Sequence, residues 1–451
     1  MIAEIQRMYY EAGQTREVEF RMKNLKLLKE TIRAYEEKIE SALWEDLHKS
    51  AYESYLTEIS IVLQELDEHI RNLRRWASPE RVSTPLHLLG SKSRIVYEPL
   101  GVVLIIAPWN YPFQLLMAPL VGAIAAGNCV VLKPSPYTPH VAAVISEMIA
   151  EIFGPAYVTV VQGGREANQI LLAERFDYIF FTGSSELGKV VMKAAAEQLI
   201  PVTLELGGKS PCIVGREANI EVAARRIAWG KFLNAGQTCI APDYLFVHAE
   251  IKTKLLERIV FYIRKFYGDN PVKSPDYPRI VRKEAVVRLM SLMEKEKIVY
   301  GGDVDMESLY IAPTILDDVS PDAPVMQQEI FGPLLPVMTF YDLEETISYV
   351  NAHDKPLALY YFGSPYIAEQ VIASTSSGGV CVNDTIMHIA NGNLPFGGVG
   401  KSGMGKYHGY NSFLTFSNRR SVLSSTTWWD IPVKFPPYKS LSLLKKMPGF
   451  K

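Results

Sequence analysis

The chain predicts an α/β fold: two parallel-sheet domains and a small β element beside them. Two rhythms carry that prediction. From residue 101 onward, short Val/Ile/Phe runs alternate with helical segments, the mark of βαβ units around a sheet buried on both faces. After residue 206 the alternation starts again, which asks for a second sheet. A third observation bounds the rest: at 451 residues the chain is too long for one simple core.

The elements follow in order. Residues 15–76 read as a packed helical layer, because Leu25, Leu28, Ile32, Tyr35, Ile39 and Leu43 recur at three- and four-residue steps. A coiled coil is the alternative, but the stripe ends before several heptads accumulate. Ser78-Pro79 and Thr84-Pro85 break the pattern, and 82–99 reads as a two-sided, intersubunit β-hairpin. Then come GVVLIIAP, a helix over 115–126, CVVLKPS, a helix over 138–153, and YVTVVQG. A helix near 167–174, YIFFTGS, a helix over 185–197 and PVTLELGG complete the first sheet, with right-handed crossovers. The second sheet draws on PCIVG, a helix over 220–235, YLFVHA, a helix over 250–267, PTILDDV, a helix over 342–352 and GGVCVND. Past 410, NSFLTFSNRRSVL reads as a strand that pairs with another element or subunit.

Composition excludes several classes. Hydrophobic content of 48% and charged content of 21% are those of an ordinary soluble globular protein. A net charge of −2 offers no attraction to nucleic acid or an anionic membrane. Cys129, Cys212, Cys239 and Cys381 form no CxxC pair, and no HxxxH or HExxH occurs, so neither a disulfide framework nor a metal is expected. The first dozen residues carry acids and no apolar run, the apolar stretches are cut by Pro108, Pro112 and Pro119, and the tail has no hydrophobic anchor. The expectation is a soluble, cytoplasmic protein.

Five loops can carry chemistry. In YIFFTGSSELGK a buried strand enters Gly183-Ser184 and a helix begins at once; exposed N–H groups there suit a phosphate. The second glycine is Gly188, so GxGxxG is absent, and Ser184 or Ser185 equally reads as a plain N-cap. Lys133 and Ser135 of VVLKPSP close the next strand, where a cation meets ribose or phosphate oxygens, or is simply a solvated turn lysine. Asn110 of APWNYP offers an amide to a developing oxyanion, or makes an Asx-turn before Tyr111-Pro112. Glu205 of LELGG, flanked by Leu204 and Leu206, is a candidate base of raised pKa, or a strand-end ion-pair partner. Cys239, in NAGQTCIAPDY, is by default a small apolar filler.

With APWNYP, FTGSSELGK, LELGGKSP, NAGQTCIAPDY, QEIFGPLLPV and LPFGGVGKSGMGKYHG in this order, the chain resembles the aldehyde dehydrogenase superfamily, most closely its class 3 (fatty and aromatic aldehyde) branch. The resemblance implies a Rossmann-like cofactor domain from 1–81 and 100–206, a catalytic domain from 207–410, and oligomerisation or bridging segments at 82–99 and 411–451. It implies Cys239 as nucleophile, Asn110 and the Cys239 N–H as oxyanion site, and Glu205 as the base for deacylation. Pro108, Trp109, Lys133, Ser135, Gly183, Ser184, Gly188, Leu206, Glu329 and Phe331 become contacts for NAD or NADP. Many relatives carry a Glu after KPS that disfavours a 2′-phosphate; here Pro136 stands there, so NADP is expected to be tolerated. Tyr111, Trp229 and His408 are expected to wall an aromatic tunnel, or to be packing. The implied reaction is oxidation of medium- or long-chain aliphatic or aromatic aldehydes to acids by a homodimer. Acyl transfer to coenzyme A, and a non-catalytic binding relative, are the alternatives.

Overall fold

The computed structural model describes residues 2–430, 434–438 and 441–446. The expected bridging segment 411–451 therefore lies partly outside the described residues.

The first sheet has six strands in the order Gly403–Met404, Val202–Leu206, Tyr178–Gly183, Val102–Ile106, Cys129–Lys133, Val158–Val160. Five pair in parallel, and Gly403–Met404 adds an antiparallel edge from far along the chain. Val102–Ile106 and Cys129–Lys133 are buried at every residue, which explains their unbroken apolar runs. The chain builds outward from Val102–Ile106, then returns to its other side at Tyr178–Gly183. That reversal opens a crevice at the carboxyl ends of the two strands, where Pro108 and Ser184 begin their loops.

The second sheet has seven strands, ordered Lys297–Tyr300, Thr314–Asp317, Leu334–Phe340, Tyr244–His248, Pro211–Val214, Ala358–Phe362, Gly379–Val382. Only the Lys297–Tyr300 edge is antiparallel. A third sheet pairs Ser91–Pro99 with Glu80–Val82 on one side and with Ser417–Ser425 on the other, over nine residues.

Three local expectations change. The helical layer is not one run: its helices break at Tyr35 and again at His48, which adopts a left-handed φ of 54°, and a π-helical turn spans Tyr55–Ile59. The segment after 410 opens as a helix, Tyr410–Thr415, before its strand. The helix expected to reach 235 ends at Phe232, and a tight turn follows at Leu233–Gly236. Among the described residues no helix is long and apolar enough to cross a membrane.

Candidate active site

Cys239 stands on an irregular loop between the helix Ile220–Phe232 and the strand Tyr244–His248. Three consecutive residues before it are left-handed: Asn234 at φ 51°, Ala235 at 51° and Gly236 at 73°. Only the glycine adopts this without cost, so the surroundings must hold the other two. At Gly236 a Cβ would also sit 2.3 Å from the Gly332 carbonyl oxygen. Gln237 supplies the hold: its Nε2 donates to Asn234 O (3.1 Å) and Arg279 O (3.0 Å), and its Oε1 accepts from Val281 N (3.1 Å). The loop therefore presents a half-buried sulfur on a rigid mount.

Asn110 is buried opposite. Its Nδ2 donates to Gln237 O at 3.0 Å, which fixes the amide and leaves its second N–H to spare. Burial, then the Glu329 and Glu205 carboxylates, hold the Cys239 thiol above its usual range, so the free enzyme keeps it protonated at neutral pH.

Glu205 closes the Val202–Leu206 strand with both carboxylate oxygens buried and without a hydrogen-bond partner. Burial pushes its pKa well above the usual carboxylate range, while the Lys406 charge pulls it back. Gly397 makes the room, since a Cβ there would stand 2.6 Å from Glu205 Oε1 and 3.1 Å from Lys406 Cδ.

Cys239 and Glu205 face one cavity of about 260 Å³, walled by Leu56, Ile61, Tyr111, Trp229, Leu233, Ile386, Phe396 and Tyr407. Tyr111 and Trp229 are among its walls. His408 is not. It is buried with a left-handed φ of 75°, stacks on Tyr407 at 4.0 Å and turns Nδ1 to Glu65 Oε2 at 3.4 Å. The tunnel wall at that point is its neighbour, Tyr407.

A second cavity, about 700 Å³, lies between the sheets and is lined by Ser184, Leu206, Gly207, Gly208 and Glu329. Leu206, next to Glu205 in the chain, lines both cavities. Glu329 Oε1 is buried with no hydrogen-bond partner, and burial, with Asp243, raises its pKa to about 8. Ser184 caps the helix Ser185–Glu197 by accepting from Leu187 N at 3.4 Å. A buried carboxylate held by the Gly208 N–H, with one oxygen unpartnered, in a cavity that the N-cap Ser184 also lines, fits a nicotinamide dinucleotide.

None of the other expected cofactor residues is among the walls of this cavity. Trp109 and Phe331 pack edge to face at 5.3 Å, with Phe331 at φ 49°. Pro108 is half-buried at the exit of its strand. Lys133 is turned inward, with Nζ donating to Pro134 O at 2.8 Å and burial lowering its pKa to about 8. Ser135 Oγ accepts from Tyr137 N at 3.2 Å. Gly183 leaves space for the Phe181 ring, and Gly188 for Leu206, which makes these two glycines packing positions.

The sequence reading missed Asn234, Gln237 and Lys406, all beside recognised motifs. It also missed Lys49, Glu53 and Glu58, which lie in the helical layer where charges read as solvent-facing. Among the described residues no group of three or more His, Cys, Asp or Glu side chains is placed to hold a metal.

The family model described as "Aldehyde dehydrogenase family" matches residues 5–422. The chain is 49% identical over 434 residues to 4,4'-diaponeurosporen-aldehyde dehydrogenase of Staphylococcus aureus, covering 96% of this chain and 95% of that one. It is 48% identical to the dimeric, NADP-preferring aldehyde dehydrogenase of Rattus norvegicus over 92% of each. The solved substrate-bound state of Staphylococcus aureus AldH superimposes with a TM-score of 0.95 at 48% identity, covering 96% of both chains. An NAD-dependent aldehyde dehydrogenase from Sinorhizobium meliloti superimposes with a TM-score of 0.86 at 28% identity, covering 95% of this chain and 88% of that one. This chain belongs to the aldehyde dehydrogenase family, in the class 3 branch, and is an oxidoreductase that converts aldehydes to carboxylic acids with NAD or NADP.

Proposed function

We propose that the enzyme oxidises medium- and long-chain aliphatic or aromatic aldehydes through a thioester on Cys239. One observation carries this: an apolar tunnel ends at a single thiol, with an unpartnered carboxylate beside it. The Cys239 sulfur attacks the carbonyl carbon, and the oxygen, gaining a proton, becomes the hydroxyl of a thiohemiacetal. The spare Asn110 N–H and the Cys239 N–H stabilise the oxyanion in passing. The cleft lined by Ser184, Gly207, Gly208 and Glu329 would hold an oxidised nicotinamide cofactor, which would supply the hydride acceptor for that carbon. The hydroxyl loses its proton and a thioester remains. Glu205 takes a proton from water, the hydroxide attacks the thioester, and the acid leaves as the thiol is restored.

Glu205 also supports water over coenzyme A as the acyl acceptor, since a resident base serves hydrolysis. The tunnel lining supports apolar substrates: apart from Glu205 it carries no charged side chain. Pro136, exposed after Lys133 and Ser135, supports use of NADP alongside NAD, because no carboxylate there repels a 2′-phosphate. The first sheet with its helices serves the cofactor and the second carries catalysis, with 82–99 and 411–451 as the oligomerisation segments. The Ser417–Ser425 strand pairs on one side only, which supports assembly as a homodimer through that edge. Four free cysteines support a reducing, cytoplasmic location.

The test is an aldehyde panel of graded chain length, run with NAD and NADP and with coenzyme A added. The reading expects kcat/KM to rise with chain length, activity with both cofactors, and free acid as product. Acyl-CoA as the product, or a preference for short charged aldehydes, contradicts it. Sedimentation at micromolar protein tests the dimer.

A further inference from the structure

We infer that Lys49, Glu53 and Glu58, on the helical layer outside both sheets, are positioning residues that hold the two halves of the oxyanion site in register. The inference rests on the reading of Asn110 as the oxyanion donor. Lys49 and Glu58 form an ion pair of 2.6 Å with both side chains fully buried. Lys49 Nζ also donates to the Asn110 carbonyl oxygen at 3.3 Å. Glu58 Oε2 accepts from Phe113 N at 2.9 Å and Gln114 N at 3.1 Å, at the start of the helix Gln114–Ala126. The turn carrying Asn110 is therefore gripped at both ends by one charge pair.

Glu53 grips the other half. Its Oε1 accepts from Asn234 N at 2.9 Å, within the left-handed stretch that leads to Cys239. Asn234 Nδ2 then donates to Asn110 O at 2.7 Å and to Gln237 O at 3.1 Å, closing the circuit. Between the halves, the Tyr111 hydroxyl bonds Thr238 Oγ1 at 2.6 Å, and its ring lies 4.4 Å from Lys49 Nζ.

The helix is built for this. Glu53 and Glu58 are five residues apart, about 1.4 turns of a regular α-helix, which separates their side chains by about 140°. The π-helical turn Tyr55–Ile59 begins just after Glu53, contains Glu58 and makes i→i+5 bonds, which narrows that angle, so that Glu58 meets the turn after Asn110 while Glu53 meets the neighbouring Asn234 loop. Burying a charge pair is a poor route to stability, because an apolar pair of similar volume serves as well. Its worth here lies in geometry: a fixed ammonium and two fixed carboxylates hold backbone groups that no apolar side chain can hold.

The test is the charge-neutral pair Lys49→Met/Glu58→Gln in the full-length enzyme, with Asn110→Ala alongside. The readouts are thermal melting, NADPH binding, alkylation of Cys239 by iodoacetamide, and steady-state kinetics with a long-chain aldehyde. Misplaced oxyanion donors lower kcat by about tenfold or more, while KM stays within about twofold and alkylation is unchanged. Hydrolysis of 4-nitrophenyl acetate, which needs thiol and oxyanion donors but no nicotinamide, falls in parallel. A folded pair variant with kcat within about twofold of the parent overturns the inference. If the pair variant does not melt cooperatively, Lys49→Arg decides by the same criteria, since arginine keeps the charge but not the ammonium's reach to Asn110 O. Should Asn110→Ala keep full activity, the reading of Asn110 itself fails; should it lose activity while the pair variant does not, only the positioning role fails.

Discussion

A Cβ on Gly207 would lie 2.2 Å from both carboxylate oxygens of Glu329, so the absence of one side chain creates the seat of the other. That seat is in the cleft read as the nicotinamide site. Gly207→Ala displaces the Glu329 carboxylate. We expect KM for NAD and NADP to rise about tenfold, a loss of about 1.4 kcal/mol, with iodoacetamide alkylation of Cys239 unchanged. Cofactor KM within about twofold of the parent separates Glu329 from cofactor binding.

Glu205 and Lys406 set the acid limb of turnover. Burial raises the Glu205 pKa and the Lys406 charge opposes that rise. If the Glu205 carboxylate is the base, as proposed, deacylation is expected to fail as pH falls through its folded-state pKa. Lys406→Met removes the opposing charge, and the limb moves to higher pH. Lys406→Arg holds it near the parent position. A methionine variant whose kcat profile overlays the parent shows that Glu205 is not the titrating base.

Glu65 makes a different prediction, for stability. Its burial alone raises the carboxyl pKa, but the His408 hydrogen bond, the His69 and His408 charges and the Gly409 N–H outweigh it, bringing it down to about 2. A carboxyl depressed in the folded state stabilises the fold above its unfolded pKa, and that stability is lost as pH falls toward 2. Glu65→Gln is expected to cost about 2–3 kcal/mol at pH 7, and the cost shrinks at acid pH. Denaturant melts at pH 7 and pH 3.5 measure both; a penalty that does not change with pH contradicts the ionic account.

Much of this architecture is legible in the chain because parallel strands buried on both faces must be apolar at every position. Val102–Ile106 and Cys129–Lys133 announce themselves in that way. Cys239, Asn110 and Glu205 stand in motifs whose order along the chain is kept, while the fold brings Cys239 and Glu205 to one tunnel and ties Asn110 to the loop before Cys239. His408 was misread because adjacency does not give direction: its left-handed φ sends the ring behind Tyr407, toward Glu65. Lys49, Glu53 and Glu58 were invisible for a related reason. In a helical stripe a charge is ordinarily solvated, and only the packing of that helix against two distant loops shows that these are buried. The π-helical turn that aims the two acids has no sequence signature of its own.

The central claim is a covalent thioester on Cys239 hydrolysed by the action of Glu205. Intact-mass spectrometry of Glu205→Gln, mixed with a long-chain aldehyde and NADP or NAD, tests it most directly. The account predicts one stoichiometric burst of reduced cofactor and a protein heavier by the aldehyde's mass less two hydrogens, with the added mass on Cys239. Continued turnover at the parent rate with no adduct, or an adduct on another residue, contradicts it.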